Sequence, residues 1–183
     1  MKINVFLSHP KPMNLQQREF IERLSGLLTD PFQMQCNTLG RDSYDMDAPM
    51  TAIRRLMLEC NGVLVIAFRR YWVENGHENF NCNIEGVECK AISGTWMTSP
   101  WCHIEAAMGF QLGLPLLVLR EHGVLADGLL DRGVRGANYP EFDLSSGPLA
   151  FLEGTLAKSI LTQWNARVRN FRELRGNPGP FAG

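Results

Sequence analysis

The chain has 183 residues, 45% of them hydrophobic and 20% charged, a size and mixture suited to one globular domain with a sizeable core. Eighteen Lys and Arg against nineteen Asp and Glu leave a formal net charge of -1, which gives no long-range pull towards nucleic acid or an anionic membrane. The five cysteines are odd in number and form no C-x-x-C pair, no stretch approaches the ~18 apolar residues of a membrane span, and MKINVFLSHP is too short an apolar opening for a signal peptide, so a reduced, cytoplasmic setting is expected.

Residues 2–8 predict a short buried strand. Asn14 is placed to cap a helix with Gln17 as its reciprocal partner, and Leu15, Phe20, Ile21, Leu24, Leu27 and Leu28 share one helical face. Asp30-Pro31 ends that helix, and a second strand is expected over 32–38, followed by the polar loop GRDSYDMDAP. Asp47 and Pro49 stand where a cap and an early helical proline belong. Met50, Ile53, Met57 and Cys60 mark the buried face of the helix that follows, stopped by Asn61-Gly62. The continuous apolar run 62–68 predicts a strand covered on both faces.

Residues 69–98 show no sustained periodicity and predict a long loop or insertion. A third helix opens near Ser99-Pro100, and PLLVLR (115–120) reads as another buried strand. Within 121–148 a short helix, VLADGLL, and a last strand or extended segment before EFDL are expected. Leu149, Leu152, Leu156, Ile160, Trp164, Val168 and Phe171 recur every three or four residues and predict one long final helix. The tail 176–183 is expected to be flexible. This alternation predicts a doubly wound parallel sheet, whose ligands sit beyond the carboxyl ends of the strands, at the loops after residues 8, 38, 68 and 120. No Walker-type loop and no G-x-G-x-x-G after a strand is present.

Three stretches carry a family resemblance. Phe6-Leu7-Ser8-His9 ends the first strand, Gly40-Arg41-Asp42 through Pro49 lies between the second strand and second helix, and Ser99-Pro100-Trp101-Cys102-His103-Ile104-Glu105 opens the third helix. In that order they resemble the opening box, the BB loop and the S-x-W-C-x-x-E segment of Toll/interleukin-1 receptor (TIR) domains, and Gly113-Leu114-Pro115 is similar to the family's entry to its fourth strand. The resemblance implies an α/β, flavodoxin-like parallel sheet of about five strands with helices on both faces, to which this chain adds a long C-terminal helix. It covers residues 1–145, with 69–98 longer than the family pattern; 146–175 would pack on the same domain.

In enzymatic TIR domains the glutamate of W-x-x-x-E is catalytic, which here implies Glu105. The expected reaction is cleavage of the nicotinamide–ribose bond of NAD, giving ADP-ribose or a cyclic ADP-ribose-type product. NAD is then the substrate and no other cofactor is called for. Nicotinamide in NAD is already cationic, so its departure needs no general acid, and one carboxylate near the oxocarbenium-like ribose can suffice. Trp101 and Glu105 are i and i+4 and share a helix face. A glutamate early in a helix is also favoured by the helix dipole alone.

Ser8 and His9 fit contact with the ribose or phosphates of NAD, and fit a strand-end turn equally. Arg41 and Arg69 fit a nucleotide-facing role and also plain surface charge. Tyr71 and Trp72 read as packing of the rim rather than as stacking on a base. His77, Cys82, Cys89, Cys102 and His103 match no common zinc spacing, so no metal is expected. Arg167, Arg169, Arg172 and Arg175 in the last helix read as solvated. The resemblance further implies self-association through TIR surfaces. The stand-alone arrangement is similar to bacterial antiphage systems of the Thoeris type, in which a nucleotide product reaches a separate effector. A non-catalytic TIR interaction module and a nucleoside deoxyribosyltransferase-like N-glycosyl transferase are the rival readings.

Overall fold

The computed structural model describes residues 2–38, 49–131 and 140–176. In chain order its elements begin with β1 (Ile3–Ser8), α1 (Leu15–Thr29), β2 (Met34–Asn37), α2 (Pro49–Leu58) and β3 (Val63–Ala67). Four short strands follow: β4 (Tyr71–Val73), β5 (His77–Glu78), β6 (Lys90–Ala91) and β7 (Thr95–Met97). Then come α3 (Pro100–Gln111), β8 (Leu116–Glu121), a 3-10 turn at Gly128–Leu130, β9 (Glu141–Phe142), α4 (Pro148–Glu153) and α5 (Thr155–Gly176).

Five strands form one parallel sheet in the order β2-β1-β3-β8-β9. Counted along that sheet the order is 2-1-3-4-5, the flavodoxin-like winding. Strand alternation divides the core between two faces. Ile3, Val5 and Leu7 of β1, with Leu64 and Ile66 of β3, meet Phe20, Leu24 and Leu28 of α1 and Leu161, Trp164 and Val168 of α5. There Phe20 stacks on Phe142 at 4.4 Å and 14°, with Phe68 edge-on to both. Phe6, Val63 and Val65 face the other way, onto Ile53 and Met57 of α2 and Cys102 and Ala106 of α3.

The side chain of Asn14 caps α1 by accepting from the Gln17 N–H at 2.8 Å. The reciprocal bond goes to Met13 rather than Asn14, whose N–H Gln17 leaves alone. On α2 the buried residues are Ala52, Ile53 and Met57, while Met50 at the first turn is exposed.

Residues 69–98 are not an irregular loop. β4 pairs antiparallel with β7 and β5 with β6, so the segment is a nested hairpin arm rising from the end of β3. Its strands are only two or three residues long and mostly exposed, too short to imprint a period. VLADGLL yields a single 3-10 turn, and the last strand lies within EFDL at Glu141–Phe142.

The single C-terminal helix predicted is two, broken at Gly154, whose N–H turns back to the Phe151 carbonyl. The break shifts the phase: Leu156 is exposed and Ala157 is buried. Trp164 Nε1 donates to the Pro115 carbonyl at 3.0 Å, and Val168 packs against Gly62, so α5 crosses the amino ends of β3 and β8. Arg169 donates to Phe32 O, and Arg175 to Cys60 O and Leu58 O, each at 2.8 Å. These two arginines tie down carbonyl groups rather than simply meeting solvent. No described helix is long and apolar enough to cross a membrane.

Candidate active site

The site candidates gather at the carboxyl end of the sheet, opposite the end crossed by α5. α3 starts there because Ser99 accepts the Trp101 N–H at 3.3 Å and Pro100 supplies the first helical residue. Its first turn is fastened to β3: Thr98 Oγ1 donates to Cys102 Sγ, and Cys102 Sγ to the Ile66 carbonyl, each at 3.8 Å. Burial pushes the Cys102 thiol up to about 12, so it is a packing and hydrogen-bonding group, not a nucleophile.

Glu105 lies about one turn further along α3 and is half-buried. Desolvation raises its pKa above the ordinary carboxylate range, and the Ser8 hydroxyl acts in the opposite direction. Ser8 ends β1 on the face turned to α3. Its Oγ sits beside Glu105 and Cys102, near enough to favour their ionised forms, yet it is buried and completes no hydrogen bond of full geometry among the described residues. A buried hydroxyl left in this state costs roughly 1–3 kcal/mol, which a bound polar group would recover. His9 follows, half-buried; burial lowers its pKa, while Nδ1 donates to the Pro10 carbonyl at 2.8 Å. Trp101 is 39% exposed at the start of the same helix.

Arg69 is held differently. Its Nε donates to the His122 carbonyl at 2.7 Å and lies 3.7 Å from Glu121, so the guanidinium is turned to the end of β8. Arg41, with residues 40–48 of the BB-like loop, lies outside the described residues. Ser8 and Glu105 are thus brought together, with His9 next to Ser8 in the chain and Trp101 one helical turn before Glu105, while Arg69 is committed to β8. His103 faces Asp127 at 3.6 Å, and no cluster of three metal-ligating side chains exists among the described residues.

Sequence reasoning missed Glu121. This buried carboxylate accepts from the Arg69 N–H at 2.9 Å and from Gln17 Nε2 at 3.0 Å, linking β3, β8 and α1 on the other side of the sheet. The available signal was a charged residue closing the apolar run PLLVLR. A shallow depression of about 380 Å³ between α2 and α3 is lined by Arg54, Ala107, Met108, Gln111 and Leu112 and does not include Glu105.

A desolvated carboxyl beside an unsatisfied hydroxyl, at the mouth of a wound sheet, suits chemistry on a sugar carbon. Ionised, it stabilises developing positive charge; protonated, it can donate to a leaving group.

No protein-family model matches the chain, and no curated protein does. Among solved structures it is similar to a CMP N-glycosidase of Clostridium botulinum, BcmB, with 17% identity over 82% of this chain and 94% of that one, at a TM-score of 0.47. It is also similar to the TIR domains of the activated Roq1 resistosome that recognises the effector XopQ, with 12% identity over 94% of this chain and 85% of that one, at a TM-score of 0.41.

Proposed function

We propose that this chain is a TIR-type enzyme that cleaves the nicotinamide–ribose bond of NAD, with Glu105 as its catalytic residue. The observation that carries the reading is the pairing of a desolvated Glu105 with the buried Ser8 hydroxyl, which no hydrogen bond of full geometry engages, at the ligand end of the sheet. The C1′–N bond breaks with its electron pair passing to the pyridinium nitrogen, so nicotinamide departs neutral. The ionised Glu105 offsets the charge left on the ribose, and Ser8 bonds a sugar hydroxyl. The pyridinium itself favours ionisation of Glu105, because a cation beside a desolvated carboxyl lowers its pKa. Trp101 shields the leaving group.

Addition of water gives ADP-ribose, and capture by a group of the substrate itself gives a cyclic product. As a soluble signal in antiphage immunity, such a product would act on a separate protein. Self-association of TIR surfaces would make specific activity rise with protein concentration.

The burial that raises the Glu105 pKa also favours a second reading, in which the protonated acid donates to a neutral base and the substrate is a nucleoside or deoxynucleoside. Purified protein is therefore incubated separately with NAD and with deoxynucleosides, and products are separated by chromatography. Release of nicotinamide, reduced at least about a hundredfold by Glu105→Ala and Glu105→Gln, is expected. Equal rates in all three proteins would refute the assignment, base release from deoxynucleosides alone would favour the second reading, and inactivity on both would leave a non-catalytic module.

A further inference from the structure

The hairpin arm carries an aromatic pair that the proposed chemistry does not use. Trp72 on β4 and Trp96 on β7 are directly opposite in register, with ring centroids 5.1 Å apart and planes tilted by 54°. Trp96 is the anchored member. Its ring packs against the α2/α3 core, its N–H donates to the Gly123 carbonyl at 3.2 Å, and its carbonyl accepts from Leu125 at 2.7 Å. Trp72 rests on it and is 52% exposed. An indole is thus held on a fixed support with half its surface open, the condition under which a flat ring binds with little ordering cost.

The arm that carries the pair is rooted between the end of β3 and the start of α3, at the end of the sheet that holds the candidate site. The Arg70 N–H donates to the Met97 carbonyl at 2.9 Å and closes the base of the arm at the end of β3. β7 lies between β4 and the segment after β8, which leaves Trp72 on the side away from β8. One residue, Met97, separates Trp96 from Thr98, the residue that holds Cys102, and Glu105 is one helical turn beyond Cys102. The indole is therefore carried at the same end of the sheet as Glu105, where an extended dinucleotide would place its second base away from the bond that breaks. At the base of the arm the open face is one indole wide, because Tyr71 belongs to the opposite face of the ribbon and has Arg70 over its ring at 5.9 Å, while the exposed Phe80 and Ile84 lie further out, between β5 and β6. That area is far below what a protein partner needs and matches a nucleobase.

We propose that Trp72, backed by Trp96, is the stacking platform for a purine base at the end of the substrate remote from Glu105. This rests on the reading of the substrate as a dinucleotide. It is tested by calorimetric titration of AMP and ribose 5-phosphate into wild type, Trp72→Ala and Trp72→Phe, alongside KM and kcat for NAD and nicotinamide mononucleotide. AMP binds wild type and Trp72→Phe more tightly than ribose 5-phosphate does, and Trp72→Ala weakens AMP about tenfold. The same variant raises KM for NAD about tenfold at unchanged kcat and leaves nicotinamide mononucleotide unaffected. AMP binding no tighter than that of ribose 5-phosphate, or unchanged in Trp72→Ala, overturns the platform. So does equal loss towards both substrates. The calorimetry does not depend on turnover: AMP binding lost in Trp72→Ala, with no nicotinamide release by wild type, retains the platform and rejects the catalytic reading.

Discussion

Ser8, the last residue of β1, places a buried hydroxyl beside the carboxyl of Glu105 on α3, near enough to favour the carboxylate yet outside the geometry of a full hydrogen bond. Both groups are left short of solvation: Glu105 is held above the usual carboxylate range by burial, and Ser8 Oγ completes no hydrogen bond of full geometry among the described residues. A ligand bringing positive charge to one and a hydrogen-bonding group to the other would satisfy both.

Replacing Ser8 by Ala removes the influence that lowers the Glu105 pKa, so that pKa rises further. If the carboxylate is the active form, activity is lost as pH falls through the folded-state pKa, and the acidic limb of kcat/KM moves to higher pH. Loss of the substrate hydrogen bond also lowers kcat/KM by about tenfold. A pH profile for NAD cleavage measures both, and an unmoved limb would detach Ser8 from Glu105.

Glu105→Gln is expected to stabilise the protein while abolishing activity. A carboxyl whose folded pKa is raised contributes stability that is full below its unfolded pKa and lost as pH rises through the folded value. The amide mimics the protonated acid at every pH. Thermal melting should therefore show a higher Tm for Glu105→Gln near neutrality, by about 2–4 °C for each kcal/mol of desolvation removed. The difference vanishes as pH approaches 4. Identical melting across the whole range would mean that Glu105 carries no desolvation cost.

The long-period features of the sequence were legible and the short ones were not. β3 and β8 read as buried apolar runs because a doubly covered strand has no polar face, and the cap at Ser99-Pro100 located α3 correctly. Together they supplied the winding, and with it the meeting of Ser8 and Glu105. The arm escaped notice because Tyr71–Val73 and Thr95–Met97 are three-residue strands whose partners lie more than twenty positions away. Gln17 read as a local cap, yet its amide also reaches Glu121 across 104 positions, a contact that no local pattern encodes. Arg169 and Arg175 share that history: the charges were visible, their carbonyl partners were not.

Glu121 is a structural tie rather than a second acid. Its Oε2 accepts from both Arg69 N–H and Gln17 Nε2, and burial raises its pKa against the pull of these donors. Glu121→Ala strands two donors and opens space at the junction of β3, β8 and α1. A loss of about 2–4 kcal/mol in denaturant unfolding is expected. A loss below about 0.5 kcal/mol would show that water replaces the carboxylate at this junction.

Gly109 determines how closely α3 approaches the sheet, and so where Glu105 stands. A Cβ there would lie 2.7 Å from Val63 Cγ2 and 3.2 Å from its Cβ, and Val63 is fully buried in β3. Gly109→Ala gains about 1 kcal/mol of helix propensity and meets an overpacking cost of about 1–3 kcal/mol, so the net change is neutral to destabilising. The larger consequence is displacement of α3 outward by tenths of an ångström, which moves Glu105 relative to Ser8. For NAD cleavage, kcat should fall about tenfold while KM changes little. Val63→Ala in the same chain removes the clashing Cγ2, leaves only the Cβ contact at 3.2 Å, and should restore most of kcat, although its cavity lowers stability further. A double variant no more active than Gly109→Ala would show that helix seating does not control the glutamate.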